Sequence, residues 1–368
     1  MKKQTIIILL LLTFIGAALR IYQLSFQELN CDETFTLMVI KKPLLDLIYW
    51  TLFTDYTPPI FYILSHISYI LSGYLDWAAR IPSLIAGILS IPAMYLLGFN
   101  IRLDTQKTDG ERVGLFCAVF MTILYPMIYY SQFARSYALM IFTSILFITM
   151  YIYIHRISYN KMNAPREYYY ILGFLGALCI WVHLFAIIFV ILVLILLSFN
   201  TKLRNAISAW ITFVICSIPL IPLFINTITQ RTPELSGQSL MWGMGFKDML
   251  GYSAMEFFNL AFPIFFFLII YGIYHNQKDK LIIEMIGLVF FTYIIGLILS
   301  TKTPVFPRYF YSTLPILLTI SAVSYSDLLN RINKENVKWI FMIEFIILLI
   351  LTQLNPIISQ YTTLRLVC

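Results

Sequence analysis

The chain has 368 residues, of which 60% are hydrophobic and 17% aromatic, while only 12% carry charge. A soluble domain carries about a quarter charged residues, so this composition and a mean hydropathy of +0.83 exclude that class. The formal net charge of +7 gives no argument for nucleic acid, because in so apolar a chain it reflects basic loops on the cytoplasmic side of a membrane.

The apolar runs are continuous and do not alternate, which favours helices over a barrel. The predicted class is therefore an all-α polytopic membrane protein. Five cysteines, at 31, 117, 179, 216 and 368, are scattered without a CxxC pair. Their spacing suggests neither a disulfide framework nor a zinc site.

A span needs about 20 apolar residues. Residues 5–21 form the first. No small-x-small cleavage site follows and Arg20 closes the run, so it reads as an uncleaved membrane helix rather than a signal peptide. Residues 23–79 read as the first extracytoplasmic loop. This loop holds the adjacent acids Asp32 and Glu33 and an amphipathic piece at 33–52. It also holds a short apolar piece at 60–71, opened by Pro58-Pro59. Twelve residues do not span easily, so 60–71 is expected to lie on the membrane surface.

Ten further spans are predicted at 81–99, 113–130, 137–154, 168–181, 184–199, 207–225, 256–274, 281–300, 309–326 and 339–354. The run 168–199 is too long for one span and is split at Trp181-Val182-His183. With residue 1 inside and 60–71 not crossing, 15 of the 25 basic residues fall in inside loops. A crossing at 60–71 would invert every later loop and remove that bias. The expectation is about 11 transmembrane helices in one domain over 1–368, with no soluble C-terminal domain and the acids outside. The outside loop 226–255, with Gln230-Arg231-Thr232-Pro233-Glu234 and Met241-Trp242-Gly243-Met244-Gly245, reads equally as a flap or as ordinary loop.

There is no GxGxxG, no GKS/T, no DxD and no HExxH, so nucleotide binding has no support. The outer face does gather chemistry. An unpartnered charge in hydrocarbon costs about 2.5–3.5 kcal/mol, so Asp32 and Glu33 must sit at the water boundary or have partners. Asp55 precedes Pro58-Pro59, where proline suits the first turn of a helix. It reads either as a plain helix start or as a site residue. Arg80, Arg135 and Arg308 cap outer helix ends. A single arginine there would snorkel to headgroups, but three beside paired acids suit an anionic substrate, since a guanidinium binds phosphate with a planar fork. His183 and His66 each admit two readings, a hydrogen-bonded structural histidine or a cavity residue.

Several stretches, in this order, resemble a known family. They are Asp32-Glu33 after the first helix, Asp55-x-x-Pro58-Pro59 and Arg80-Ile81-Pro82-Ser83. Ser131-Gln132-x-Ala134-Arg135-x-Tyr137-Ala138-Leu139 and Pro307-Arg308-Tyr309-Phe310 complete the set. Together they are similar to the membrane-embedded glycosyltransferases of the C-type fold. The nearest branch is that of the protein O-mannosyltransferases and lipid A aminoarabinose transferases (glycosyltransferase family 39-like). The resemblance covers 1–150 and, more thinly, 300–320.

The resemblance implies a polyprenyl-phosphate-linked sugar donor and inverting transfer to a glycan, lipid or protein acceptor. It also implies a multi-pass protein of the plasma membrane with an extracytoplasmic site. A hydroxyl acceptor needs a general base. Asp32 is the candidate, and Glu33 would orient the acceptor or tune Asp32. Arginine would stabilise charge on the leaving lipid phosphate. The family pattern maps that role to Arg80, with Arg135, Arg308 and Tyr309 beside it. Asp55, Tyr137, His183 and His66 are expected to line the cavity. The scheme calls for no metal and no cofactor. Two rival readings are a transporter or flippase, and a non-catalytic assembly subunit. Transporters usually carry repeated halves with helices broken at mid-membrane, and the sequence has no internal repeat.

Overall fold

The computed structural model describes residues 2–55, 57–101, 103, 109–159, 164–231, 255–300 and 305–362. The expected flap at 226–255 falls largely on 232–254, outside the described residues. All regular structure among the described residues is helical. The helices in order are α1 (Lys3–Ile21), α2 (Cys31–Ile40), α3 (Leu44–Phe53), α4 (Pro59–Leu71), α5 (Ile81–Asn100), α6 (Gly110–Ile123), α7 (Tyr125–Ser131) and α8 (Tyr137–Tyr159). They continue as α9 (Arg166–Val182), α10 (Ala186–Asn200), α11 (Leu203–Ser217), α12 (Ile221–Asn226), α13 (Phe262–His275), α14 (Lys280–Ser300), α15 (Leu314–Asn330) and α16 (Glu335–Thr362). Tight 3-10 turns at Asp76–Arg80 and Pro307–Thr313 lead into α5 and α15.

Every apolar run picked out in the sequence is helical. Among the described residues, eight stretches are long and apolar enough to cross a membrane, and α6 with α7 makes a ninth that is bent by 61°. The predicted spans 168–181 and 184–199 are α9 and α10, of 17 and 15 residues, separated at His183. The count of eleven depends on those two short helices. The amphipathic piece 33–52 is not one helix. Pro43 divides it into α2 and α3, because its ring blocks a continuing helix. Among the cysteines, Cys117, Cys179 and Cys216 are free, whereas Cys31 is disulfide-bonded, which the scattered spacing did not suggest.

Burial separates the centre from the rim. In the most apolar 18-residue window of Pro307–Asn330, 89% of the residues are buried, against 17% in that of Lys3–Ile21 and 11% in that of Glu335–Ser359. The rim helices turn Leu10, Phe14, Ile340 and Ile347 outward. Such exposed faces fit lipid, where no hydrophobic force pulls helices together. Close approach through small residues takes over there. At the α5–α6 crossing, a methyl on Gly98 would come within 2.9 Å of Gly114 Cα, and one on Gly114 within 2.7 Å of Tyr95 O. The two backbones therefore touch.

The predicted single span 113–130 is corrected by the bend. Pro126 lies in the first turn of α7 and cannot donate back into α6. The chain breaks at Leu124, which leaves backbone groups that lipid cannot satisfy. Arg20, fully buried on α1, takes the freed carbonyls. Its Nη2 donates to Met121 O at 2.7 Å and its Nη1 to Thr122 O at 3.3 Å. Its Nε donates to Ser131 Oγ at 3.1 Å on the other half. On the α7 side, the Tyr125 N–H donates to Gln353 Oε1 of α16 at 2.8 Å. Gly87 of α5 leaves room for this crossing, since a side chain there would strike Ser131. The bend delivers the 132–136 loop to the start of α2.

Candidate functional site

The site begins at the first turn of α2. Asn30 caps it through a reciprocal box: Glu33 N–H donates to Asn30 Oδ1 at 3.0 Å, and Asn30 N–H donates to Glu33 Oε2 at 3.3 Å. Thr36 Oγ1 donates to Ala134 O at 2.9 Å, tying α2 to the 132–136 loop. From the other side Ser83 Oγ donates to Arg135 O at 2.9 Å. Gln132 Nε2 donates to Arg20 O and Tyr22 O at 2.9 and 2.8 Å. These bonds hold the loop against α1, α2 and α5.

Glu33 and Arg80 are both fully buried and form a two-point ion pair, Nε–Oε1 at 2.7 Å and Nη2–Oε2 at 2.9 Å. The three other Arg80 N–H groups donate to Leu24 O at 2.7 Å, Gln27 O at 2.9 Å and Glu28 O at 3.0 Å. A guanidinium has five donors, and all five are used. Glu33 is equally filled, because its Oε1 also accepts from the Ala134 N–H at 2.9 Å. Arg80, expected as the phosphate ligand, therefore has no donor left for a phosphate. Glu33, expected in the catalytic pair, has no lone pair left for an acceptor. Together they staple the 24–28 segment, α2 and the 132–136 loop.

Asp32 faces the opposite way, and its side chain is 43% exposed. Arg135 Nη2 donates to its Oδ1 at 3.2 Å, and Arg308 Nη2 lies 4.0 Å from its Oδ2. Arg135 Nε is buried without a hydrogen-bond partner. Arg308 Nε donates to Tyr137 Oη at 2.9 Å, and the guanidinium stacks on Phe306 at 4.4 Å from the ring centroid. Two guanidiniums thus face one partly exposed carboxylate, with the buried Asp55 one hydroxyl behind Arg135. Arginine N–H groups there are still open to a further acceptor.

The other expected residues divide. Tyr137 lies in the cluster through Arg308. Tyr309 and His183 form an aromatic wall beside it, with ring centroids 5.1 Å apart and Phe185 4.9 Å from Tyr309. Asp55 is buried and linked at one remove: Tyr62 Oη donates to its Oδ2 at 3.1 Å and accepts from Arg135 Nη1 at 3.4 Å. Burial, helped by Asp55, pushes the Tyr62 hydroxyl well above its ordinary value, so it keeps its proton and donates. His66 does not join the cluster. Its Nδ1 donates to Ile40 O at 2.7 Å, pinning α4 to the end of α2.

Sequence reasoning missed Tyr62, Phe35 and Glu256. Phe35 lies under Arg135, 5.5 Å from its centroid. Glu256, at the head of the Met255–His275 stretch, accepts from Tyr130 Oη and, at 3.4 Å, from Tyr311 Oη. A lone acid at the start of an apolar run was the signal available for it. Among the described residues no three His, Cys, Asp or Glu side chains come together as a metal site.

No family model matches the chain, and no curated protein matches it in sequence. Solved structures do match in fold. ArnT from Cupriavidus metallidurans in the apo state has a TM-score of 0.59 at 14% identity, covering 90% of this chain and 59% of that one. The same protein bound to undecaprenyl phosphate has a TM-score of 0.59 at 13% identity, covering 92% and 62%. The Archaeoglobus fulgidus oligosaccharyltransferase, tethered to an acceptor peptide with the NVT sequon, has a TM-score of 0.58 at 14% identity, covering 97% and 54%. At these identities the likeness is one of fold. The chain is an integral multi-pass membrane protein with a C-type glycosyltransferase-like fold. It spans roughly three fifths of the length of the structures it matches.

Proposed function

We propose that this chain transfers a sugar from a polyprenyl-phosphate donor to an acceptor hydroxyl on the extracytoplasmic face of the plasma membrane. The observation that carries the reading is Asp32, half-exposed and set between Arg135 and Arg308. The undecaprenyl phosphate bound to ArnT, a protein of the same fold, supports a lipid phosphate as the anionic ligand. In this reading the phosphate binds Arg135 and Arg308, and Arg80 takes the structural role with Glu33.

The chemistry is a single displacement with inversion. The acceptor oxygen forms a bond to the anomeric carbon as the bond from that carbon to the phosphate oxygen breaks. The bonding pair leaves with the lipid phosphate, and the hydroxyl proton passes to Asp32. General-base catalysis is worth about 10²–10⁴ in rate, and fixed guanidinium donors stabilise the charge that develops on the leaving group.

The test is transfer of labelled sugar from an undecaprenyl-phosphate donor in liposomes. Asp32→Asn is expected to lose about 10²–10⁴ in turnover, with binding of the lipid phosphate kept. Arg135→Ala and Arg308→Ala should weaken that binding, and lysine at either position should restore only part of it. Full activity of Asp32→Asn would reject the mechanism. Counter-flow of a solute without sugar transfer would mark a transporter instead.

A further inference from the structure

A second carboxylate is linked to Arg308 through Tyr137 and Tyr130. Glu256 Oε1 accepts from the Tyr130 hydroxyl, and Tyr311 Oη shares its one proton between the Glu256 backbone carbonyl at 2.9 Å and Oε1 at 3.4 Å. No cation pairs with it among the described residues. A carboxylate at the head of an apolar stretch carries a desolvation cost, and acids in that position usually serve a ligand or a partner.

Its neighbours join it to Asp32. Tyr311 follows Arg308 by three residues in the 3-10 turn Pro307–Thr313, and side chains three apart eclipse in such a turn. The turn that offers Arg308 to Asp32 therefore offers Tyr311 to Glu256. The Tyr130 ring is 5.1 Å from both the Tyr137 and the Tyr311 rings. Tyr137 in turn accepts from Arg308 Nε at 2.9 Å. The result is a band that runs from Asp32 and the arginines, across three tyrosines, to a carboxylate.

The charges along this band sort a ligand. An anion is drawn to Arg135 and Arg308 and repelled by Glu256. A polyol is drawn to Glu256, whose Oε2 has no partner among the described residues and can accept from hydroxyls, while the buried tyrosines behind it fix the position of the carboxylate. We infer that Glu256, with Tyr130 and Tyr311, is the specificity-determining subsite for the hydroxyl groups of the transferred sugar. The inference rests on the transferase reading and adds to it where the sugar, rather than the phosphate, is recognised.

The experiment compares two kinds of probe on purified protein in detergent. One is bare undecaprenyl phosphate, and the other is a panel of undecaprenyl-phosphate mannose, glucose and galactose. The wild type should bind at least one glycosylated lipid more tightly than the bare lipid phosphate. Glu256→Gln and Glu256→Ala should each erase that preference, by about ten- to a hundredfold, as expected for loss of hydrogen bonds to a charged acceptor. Affinity for the bare lipid phosphate should stay within about twofold of wild type. Tyr130→Phe should give an intermediate loss.

The inference is overturned if the preference survives both Glu256 variants. It is also overturned if both probes weaken together, or if the wild type binds bare and glycosylated lipids equally. In each of those cases Arg308-dependent binding of the bare lipid phosphate would leave the transferase reading standing. A wild type that binds none of the lipid phosphates removes that reading and this inference together.

Discussion

Asp32 and Glu33 are neighbours in the chain, yet one helical step sends their carboxylates into opposite surroundings. Glu33 is sealed between Arg80, Ala134 and Asn30, and Asp32 looks outward between Arg135 and Arg308. Removing one partner of a buried ion pair costs about 3–5 kcal/mol, because the other charge is left uncompensated. Glu33→Gln and Arg80→Ala should therefore each lower the melting temperature and the yield of folded protein sharply. Asp32→Asn should leave both unchanged. Arg80→Lys should resemble Arg80→Ala, since one ammonium cannot serve three carbonyls and a carboxylate. A normal melt for Arg80→Ala would show that the pair is not the staple. The sequence made the acids and arginines visible, because charges are rare in this chain. It did not divide them, because adjacent acids look alike until the helix start is placed. Asn30 three residues before Glu33 is a capping-box spacing and was the available hint that Glu33 turns back on its own backbone.

At the scale of elements, apolar length located the helices well but not their breaks. The run 113–130 is uniformly apolar, and hydropathy alone reads it as one rod. The break is set by Pro126 and is supported by groups from helices far along the chain, Arg20 before it and Gln353 after it. A pairing of that kind is not written in local sequence. Arg20→Met would keep the bulk and leave the α6 carbonyls unsatisfied, at about 1–3 kcal/mol for a buried polar group. The variant should melt earlier, and per folded molecule it should transfer more slowly, because α7 carries the 132–136 loop to Asp32. Gln353→Leu should show the same pair of effects more weakly. Unchanged transfer by folded Arg20→Met would mean that the bend does not set the loop.

At the scale of the molecule, α8 is a ruler. Tyr137 joins the Arg308 cluster at its start, and Tyr151 and Arg156 lie 14 and 19 residues on. At 1.5 Å per residue these are roughly 21 and 28 Å away, close to the thickness of the hydrocarbon core. A second polar knot lies there, where Glu284 accepts from Tyr151 Oη at 2.9 Å and Asn200 Nδ2 at 2.7 Å. The two knots should face opposite aqueous phases. A cysteine placed at exposed Ser25 should react with an impermeant reagent from outside intact cells, and one at exposed Asp109 should not. Labelling of both from one side would reject the orientation. The positive-inside count leads to the same expectation from the charges of the loops alone.

The arginines around Asp32, 17% and 29% exposed, differ from the sealed Arg80 in one further respect. Mobile ions reach them. The screening length falls from about 10 Å at 0.1 M salt to about 3 Å at 1 M. A local excess of positive charge steers anions toward a site only within that range. Salt should therefore slow the capture of a lipid phosphate diffusing in the leaflet, seen as a falling association rate in stopped-flow mixing with vesicles. The melting temperature should hardly move, because the Glu33–Arg80 pair lies beyond the reach of ions. The same fold thus seals Arg20 and Arg80 into its architecture and leaves Arg135 and Arg308 partly open to the ionic atmosphere, so encounter and stability answer to different variables.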